Sequence, residues 1–225
     1  MDTWVVGLVM GLAPALWRGH AARPRTWWHD VMPRLLDTES RTDTVVCAIN
    51  DILARDGAAG LTMRAIGRES RISPGSLTMH YTSREHLLRV AAHRTGRARR
   101  DEIRGRSYTE QALAFLPRDP EEIIEARVWL SWCDLGRSAE SLSETIRQAR
   151  AEELGLLARV FDYHLARPEL DALYALLEGL TAAVCAPLDP MPPETARTIA
   201  TTSQERAASA AARSSATIRS GSSAE

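Results

Sequence analysis

The residues whose types and spacing could do chemistry concentrate in one run, LTMRAIGRESRISPGSLTMHYTSREHLL, at positions 61–88. It offers hydroxyls at Thr62, Ser73, Ser76 and Thr78, guanidinium groups at Arg64 and Arg84, and an imidazole at His80. The chain has no Ser/His/Asp arrangement, HExxH or glycine-rich phosphate loop, so the run does not suggest a catalytic centre. It suits a nucleic-acid duplex instead. Cationic and hydroxyl groups bond phosphate oxygens and fix register, and a few side chains read base edges. Gly75 and Ser76 are small enough for the backbone to approach DNA closely. Thr78 and His80 are candidates to face the groove, with Arg64 from the preceding helix. Thr62 and Arg84 stand at helix starts, where phosphate contacts are favourable.

The elements that must position these groups read as helices, because apolar residues recur at helical spacing and no stretch alternates convincingly as a strand. The spacing predicts a first helix over 44–56, with Val46, Ile49 and Leu53 on one face and Gly57 as its C-cap. A second is predicted from an N-cap at Thr62 to about Ser70, with Leu61 able to staple onto Ile66. A third starts at Ser73, with Pro74 in the first helical position, and turns Leu77 and Tyr81 inward. A fourth opens at a Thr82/Glu85 capping box and runs to about Arg100. Two short helices, a tight turn and a following helix form a helix-turn-helix over about 61–81.

This segment resembles the DNA-binding domain of the tetracycline-repressor (TetR) family. That family's pattern is roughly T-x-x-x-I-A, then V-S-x-G-x-L-Y-x-H-F, then x-S-K-x-x-L-L. It stands here as Thr62, Ile66 and Gly67, then Ile72-Ser73-Pro74-Gly75-Ser76-Leu77, then Tyr81, then Ser83-Arg84 and Leu87-Leu88. The spacing matches over about 45 residues. Two positions depart: Thr78 replaces an aromatic that usually contacts phosphate, and Arg84 replaces Lys. The resemblance implies a ligand-responsive repressor that binds a palindromic operator as a homodimer, with DNA-binding residues Thr62, Arg64, Ser73, Gly75, Ser76, Thr78, His80, Tyr81 and Arg84. A dimer of this kind sets its two recognition helices about 34–36 Å apart. The C-terminal part is more loosely similar to the choline/betaine-responsive repressor branch, through Arg127-Val128-Trp129-Leu130 and Leu176-Leu177-Glu178-Gly179-Leu180. That implies dimerisation through about 168–202 as a four-helix bundle.

The totals are compatible with this reading. All 28 basic residues are Arg, and the formal net charge is only -1. The charge is divided, however. Positions 34–106 carry 14 Arg against 9 acidic residues, and positions 107–203 carry 8 Arg against 16. A basic front and an acidic back fit a head that meets phosphate and a body that does not. Three unpaired cysteines, Cys47, Cys133 and Cys185, fit a reducing cytoplasm better than a disulfide framework. No cofactor or metal-ligand cluster is suggested. The apolar run at 4–17 is too short to span a membrane, and no positive charge precedes it as in a signal peptide. Residues 1–40 are therefore expected to be an accessory or disordered leader, with an added helix or membrane element, or a start at Met32, as alternatives.

The fold class expected is all-α: the helix-turn-helix domain over 41–88, a connecting helix to about 100, and a helical effector-binding and dimerisation domain over 101–203. In that body, Asp119-Pro120 opens one helix, a long one spans about 141–165, Pro168 opens another, and Pro192-Pro193 starts a short last helix to about Thr202. The Ser/Ala/Arg-rich tail at 204–225 is expected to be disordered. Trp129, Trp132, Cys133, Phe161 and His164 are candidates to line a pocket for an unidentified small-molecule effector, although plain core roles compete for each. A helical enzyme and a protein-interaction module that has lost its DNA contacts are the competing functional classes.

Overall fold

The computed structural model describes residues 38–221, with side chains placed for 41–209. The expectations for the leader lie outside the described residues, apart from the opening of the first helix. Among the described residues the protein is all-helical, as expected, with eight α-helices and two short 3-10 turns. It divides into two units, each described by itself. The first comprises the described residues up to Asp101 together with Ser131–Ile146; the second comprises Glu102–Leu130 and residues from Arg147 onward.

The first unit contains α1 (Thr38–Asp56), a 3-10 turn (Ala58–Gly60), α2 (Met63–Ser70), α3 (Pro74–His80) and the first part of α4 (Arg84–Glu110). The end of α5 (Pro120–Ser138) and the start of α6 (Glu140–Val160) complete it. Helix α1 starts six residues before the predicted position. It buries Val45, Val46, Ile49, Ile52 and Leu53 and ends at Gly57, whose positive φ of 64° suits glycine. Within that apolar stripe lies Asn50. Its side-chain carbonyl accepts hydrogen bonds from the Trp132 indole N–H and the Thr95 hydroxyl, both at 3.1 Å. Trp132 has no exposed surface, so this bond satisfies a donor that burial would otherwise leave unmatched. Burial, reinforced by Asp51 and Asp43, pushes the Cys47 thiol up to about 12, so at neutral pH it is a thiol and not a reactive thiolate.

The second unit is built around α7 (Arg167–Val184) and α8 (Pro193–Gly221). Its core contains Ile103, Phe115, Leu116, Leu157, Leu173, Leu177 and Leu180, with Ala196 and Ala200 of α8 also fully buried. Helix α4 runs ten residues beyond the predicted end and leads into a second 3-10 turn (Gln111–Phe115). The Gln204 side chain caps this turn by accepting the Ala112 N–H at 3.0 Å. Helix α8, expected to stop near Thr202, continues to Gly221 and takes in most of the segment expected to be disordered. The segment's many alanines are strong helix formers, so a chain poor in large apolar groups can still extend a helix already begun. Helix α6 ends at Val160, five residues short of the predicted end, in a turn where Asp162 and Tyr163 take positive φ.

Two polar clusters sit in this unit. Glu153 is buried and accepts a hydrogen bond from the Tyr174 hydroxyl at 3.1 Å, and Arg150 pairs with Glu178. Around Glu110 three cations converge: Arg106 at 3.0 Å, Arg118 at 2.9 Å and Arg197 at 3.3 Å. Arg106 also bonds Glu122 at 3.1 Å and the Leu116 carbonyl at 3.1 Å, which ties α4 to the start of α5.

Burial alone would raise the Glu110 pKa, but the Arg106 hydrogen bonds and the charges of Arg106, Arg118 and Arg197 outweigh it and hold the carboxyl below its ordinary value. A carboxylate depressed by folding adds stability above its unfolded pKa of about 4.3 and loses it as pH falls through the lower, folded value. The urea midpoint of the wild-type protein is therefore expected to fall more steeply below about pH 4.3 than that of Glu110→Gln. Parallel curves would show that the cluster contributes nothing.

Candidate nucleic-acid interface

A seven-residue helix such as α3 does not persist on its own, because nucleation costs more than so few hydrogen bonds return. This one is held at both ends and on one side. At its start Pro74 occupies the first turn, and Ser73 is the N-cap, its Oγ accepting the Ser76 N–H at 3.1 Å. At its end the Tyr81 N–H donates to the Leu77 carbonyl at 2.8 Å. Leu77 and Tyr81 are 1% and 5% exposed, and the Tyr81 hydroxyl lies 3.4 Å from Thr42 of α1.

Helix α2 is capped as predicted, with Thr62 Oγ1 accepting the Ala65 N–H at 3.1 Å and Ile66 fully buried. The joint between α2 and α3 is tight. A Cβ added at Gly67 would lie 2.9 Å from the Ile72 carbonyl and 3.4 Å from the Pro74 ring. Ser70 closes the same corner. Its hydroxyl donates to the Ile66 carbonyl at 2.7 Å and accepts the Ile72 N–H at 3.4 Å. Arg71 between them is left-handed, at φ 58°, a conformation that costs a non-glycine residue about 1–2 kcal/mol. The fourth helix begins with Ser83 as its cap, Oγ accepting the His86 N–H at 3.1 Å, whereas the Thr82 hydroxyl faces His86 Nδ1 at 3.1 Å. The spacing had assigned that cap to Thr82.

The sequence-derived candidates now separate. Thr62, Arg64, Ser73, Gly75, Ser76, Thr78, His80 and Arg84 are exposed. Tyr81 is in the core and braces α3. Arg84 donates to the Leu61 carbonyl at 3.1 Å, so one edge of its guanidinium ties α4 to the entry of α2. Thr78 donates its one hydroxyl proton to the Pro74 and Gly75 carbonyls, at 3.1 and 3.0 Å. In that rotamer it has no proton for a phosphate oxygen. The Ser73 and Ser76 hydroxyls are 2.9 Å apart and share one hydrogen bond.

Met79, between two polar candidates, is the residue that sequence reasoning missed. It is 92% exposed. At 100° per residue it projects nearly opposite the buried Leu77 and lies one turn beyond Gly75. That register relative to Leu77 was the available signal. Residues 62–89 carry five Arg against two acidic residues, and Arg64, Arg68, Arg84 and Arg89 are exposed.

The effector candidates do not lie in a single unit. Trp132 and Cys133 belong to the first, where the Trp132 N–H is taken by Asn50. In the second, Trp129 is buried, Phe161 packs partly buried against the core, and His164 is exposed. Among the described residues no group of three His, Cys, Asp or Glu could hold a metal ion, and no helix is long and apolar enough to cross a membrane.

Gly67→Val would push branched methyls against the Ile72 carbonyl and the Pro74 ring. It is expected to cost about 1–3 kcal/mol, read as a lowered urea midpoint. An unchanged midpoint would mean that the corner is not close-packed.

No protein-family model matches the chain. The HTH-type transcriptional regulator PksA of Bacillus subtilis (strain 168) is 26% identical over 179 residues, covering 71% of this chain and 85% of that protein. A solved structure of a candidate TetR-family transcriptional regulator from Rhodococcus sp. superposes with a TM-score of 0.63 at 21% identity, over 75% of this chain and 98% of that one. A candidate transcriptional regulator from Saccharomonospora viridis, solved in complex with choline, gives a TM-score of 0.62 at 17% identity, over 74% of this chain and 95% of that one. The chain thus shares the all-helical fold of these transcriptional regulators.

Proposed function

We propose that this protein is a TetR-type transcriptional regulator that binds a palindromic operator as a homodimer and leaves it when a small effector binds. The observation that carries the reading is the α2–turn–α3 corner. It is a braced short helix with Gly75, Ser76, Met79 and His80 exposed, in a segment where arginines outnumber acids. Such a helix fits a major groove about 12 Å wide, and the arginines suit its flanking phosphates. Arg64, Thr62 and Arg84 are the proposed phosphate or base contacts, and the similarity to PksA supports the same reading.

Dimerisation is proposed through α7 and α8. Helix α7 turns Leu173, Leu177 and Leu180 into the core and leaves Ala172, Ala175, Gly179 and Ala182 exposed. These four fall at spacings of three and four on one face, where small side chains let a second helix approach closely. A Cβ at Gly179 would meet nothing within 4 Å in the protomer. Within the second unit Trp129, Phe161 and His164 are the proposed effector contacts. The choline complex of the Saccharomonospora viridis protein makes a small organic cation the first effector to try.

A mobility-shift titration on a duplex selected by the protein from a random-sequence pool tests the DNA reading. Affinity is expected to fall steeply with salt. Arg64→Ala is expected to weaken binding and, if Arg64 holds a phosphate, to reduce the log–log salt slope by about 1. Absent or salt-insensitive binding would overturn the reading, and a wild-type affinity in both Arg64→Ala and Arg84→Ala would favour a protein-interaction module. For the dimer, Gly179→Glu is expected to give a folded monomer in sedimentation equilibrium; an unchanged dimer mass would remove α7 from the interface.

A further inference from the structure

Apart from the exposed imidazole of His80, the outer side of α3 is short of hydrogen-bonding side chains. Bidentate readout of guanine or adenine needs Arg, Lys, Asn or Gln, and Glu or Asp reads cytosine. None of these six residue types occurs between positions 73 and 82. The hydroxyls present are largely spent on the helix itself: Thr78 on the Pro74 and Gly75 carbonyls, and Ser73 and Ser76 on capping and on each other. What α3 presents most prominently is apolar. Met79 projects almost fully exposed, opposite Leu77, and its neighbour along the outer ridge is Gly75, where an added Cβ would meet only open space. With its hydroxyl turned back to the backbone, Thr78 is left to offer its methyl. An exposed methionine within a segment of five arginines and two acids fits a polyanionic partner that also carries apolar groups. In the major groove the apolar group is the C5-methyl of thymine.

We propose that Met79 is a specificity-determining residue that reads thymine through its 5-methyl group, with the Thr78 methyl beside it, so that α3 recognises a pattern of thymine methyls. This rests on the DNA-binding reading above and says which base feature α3 selects. The long, unbranched and polarisable thioether chain adapts to a flat methyl-bearing surface better than a branched side chain would.

The test uses the full-length protein and the duplex it selects from a random pool. Thymines are replaced by deoxyuridine one at a time, which removes the methyl and keeps every hydrogen-bonding group. At contacted positions each replacement is expected to weaken binding about fourfold, the equivalent of one lost methyl burial. Replacements outside the site should leave binding unchanged. Met79→Ala is expected to bind the thymine duplex more weakly and to lose the thymine-over-uracil preference, while Met79→Leu keeps part of it. Since Met79 is almost fully exposed, its alanine variant should retain the wild-type urea midpoint. Equal binding of thymine and uracil duplexes by the wild type would overturn this proposal while leaving DNA binding intact. A thymine preference that survives in Met79→Ala would overturn the role of Met79. Failure to select any duplex would overturn the DNA-binding reading and this proposal with it.

Discussion

The DNA-binding reading of this protein depends on keeping a seven-residue helix in place. Alone, α3 would spend most of its time unfolded. Three constraints hold it: burial of Leu77 on its inner side, the Ser73 cap with Pro74 at its start, and the anchoring of Tyr81 beside Thr42 at its end. The Gly67 corner adds a fourth. Without a Cβ there, the Ile72 carbonyl and the Pro74 ring can approach α2, and that sets where α3 begins. Because only one residue of α3 is committed to the core, the remaining six are exposed.

The corner is tight at some conformational cost. Arg71 sits in a left-handed conformation where glycine would be at ease, and Ser70 turns its hydroxyl back to Ile66 and forward to Ile72. Neither device contacts a ligand in the proposed function. Both fix the direction in which α3 leaves α2, and a recognition element is useful only if that direction is fixed to within a fraction of a groove width. Farther back in the same unit, Asn50 draws Trp132 and Thr95 onto α1 through two hydrogen bonds in a buried setting. Such bonds are directional and costly to leave unmade, so they fix the register of these three helices in a way that apolar packing alone would not.

The second unit solves a different problem. Its helices carry apolar faces broad enough for a core, and its polar residues are gathered into compact sets. Arg106, Arg118 and Arg197 converge on Glu110, and Tyr174 meets the buried Glu153. Arg106 and Glu110 are one turn apart on α4, but Arg197 reaches them from α8, and Tyr174 and Glu153 join α7 to α6. From Ala172 onward the exposed residues of α7 are small, and these neither demand burial nor obstruct a close helix contact.

Much of this was legible in the sequence. The caps at Thr62, Ser73 and Asp119, the stop at Gly57 and the stripe Val46–Ile49–Leu53 are local signals, carried by residues a few positions apart whose hydrogen bonds and spacing are the same in any fold. They placed α1, α2, α3 and the start of α5, and with them the corner that carries the proposed function. Helix lengths were less legible. Where α4, α6 and α8 stop depends on what packs beside them, and the alanine-rich end of α8 has helix propensity without a core signal. Only the tertiary structure decided which candidates face outward. Tyr81 went into the core as its spacing from Leu77 had indicated, but Arg84 gave one edge to Leu61, Thr78 turned its proton to its own backbone and Met79 emerged almost fully exposed. Composition names the groups a segment owns; whether a group is free for a partner depends on bonds it makes to residues brought near by folding, and those bonds leave little trace in local spacing.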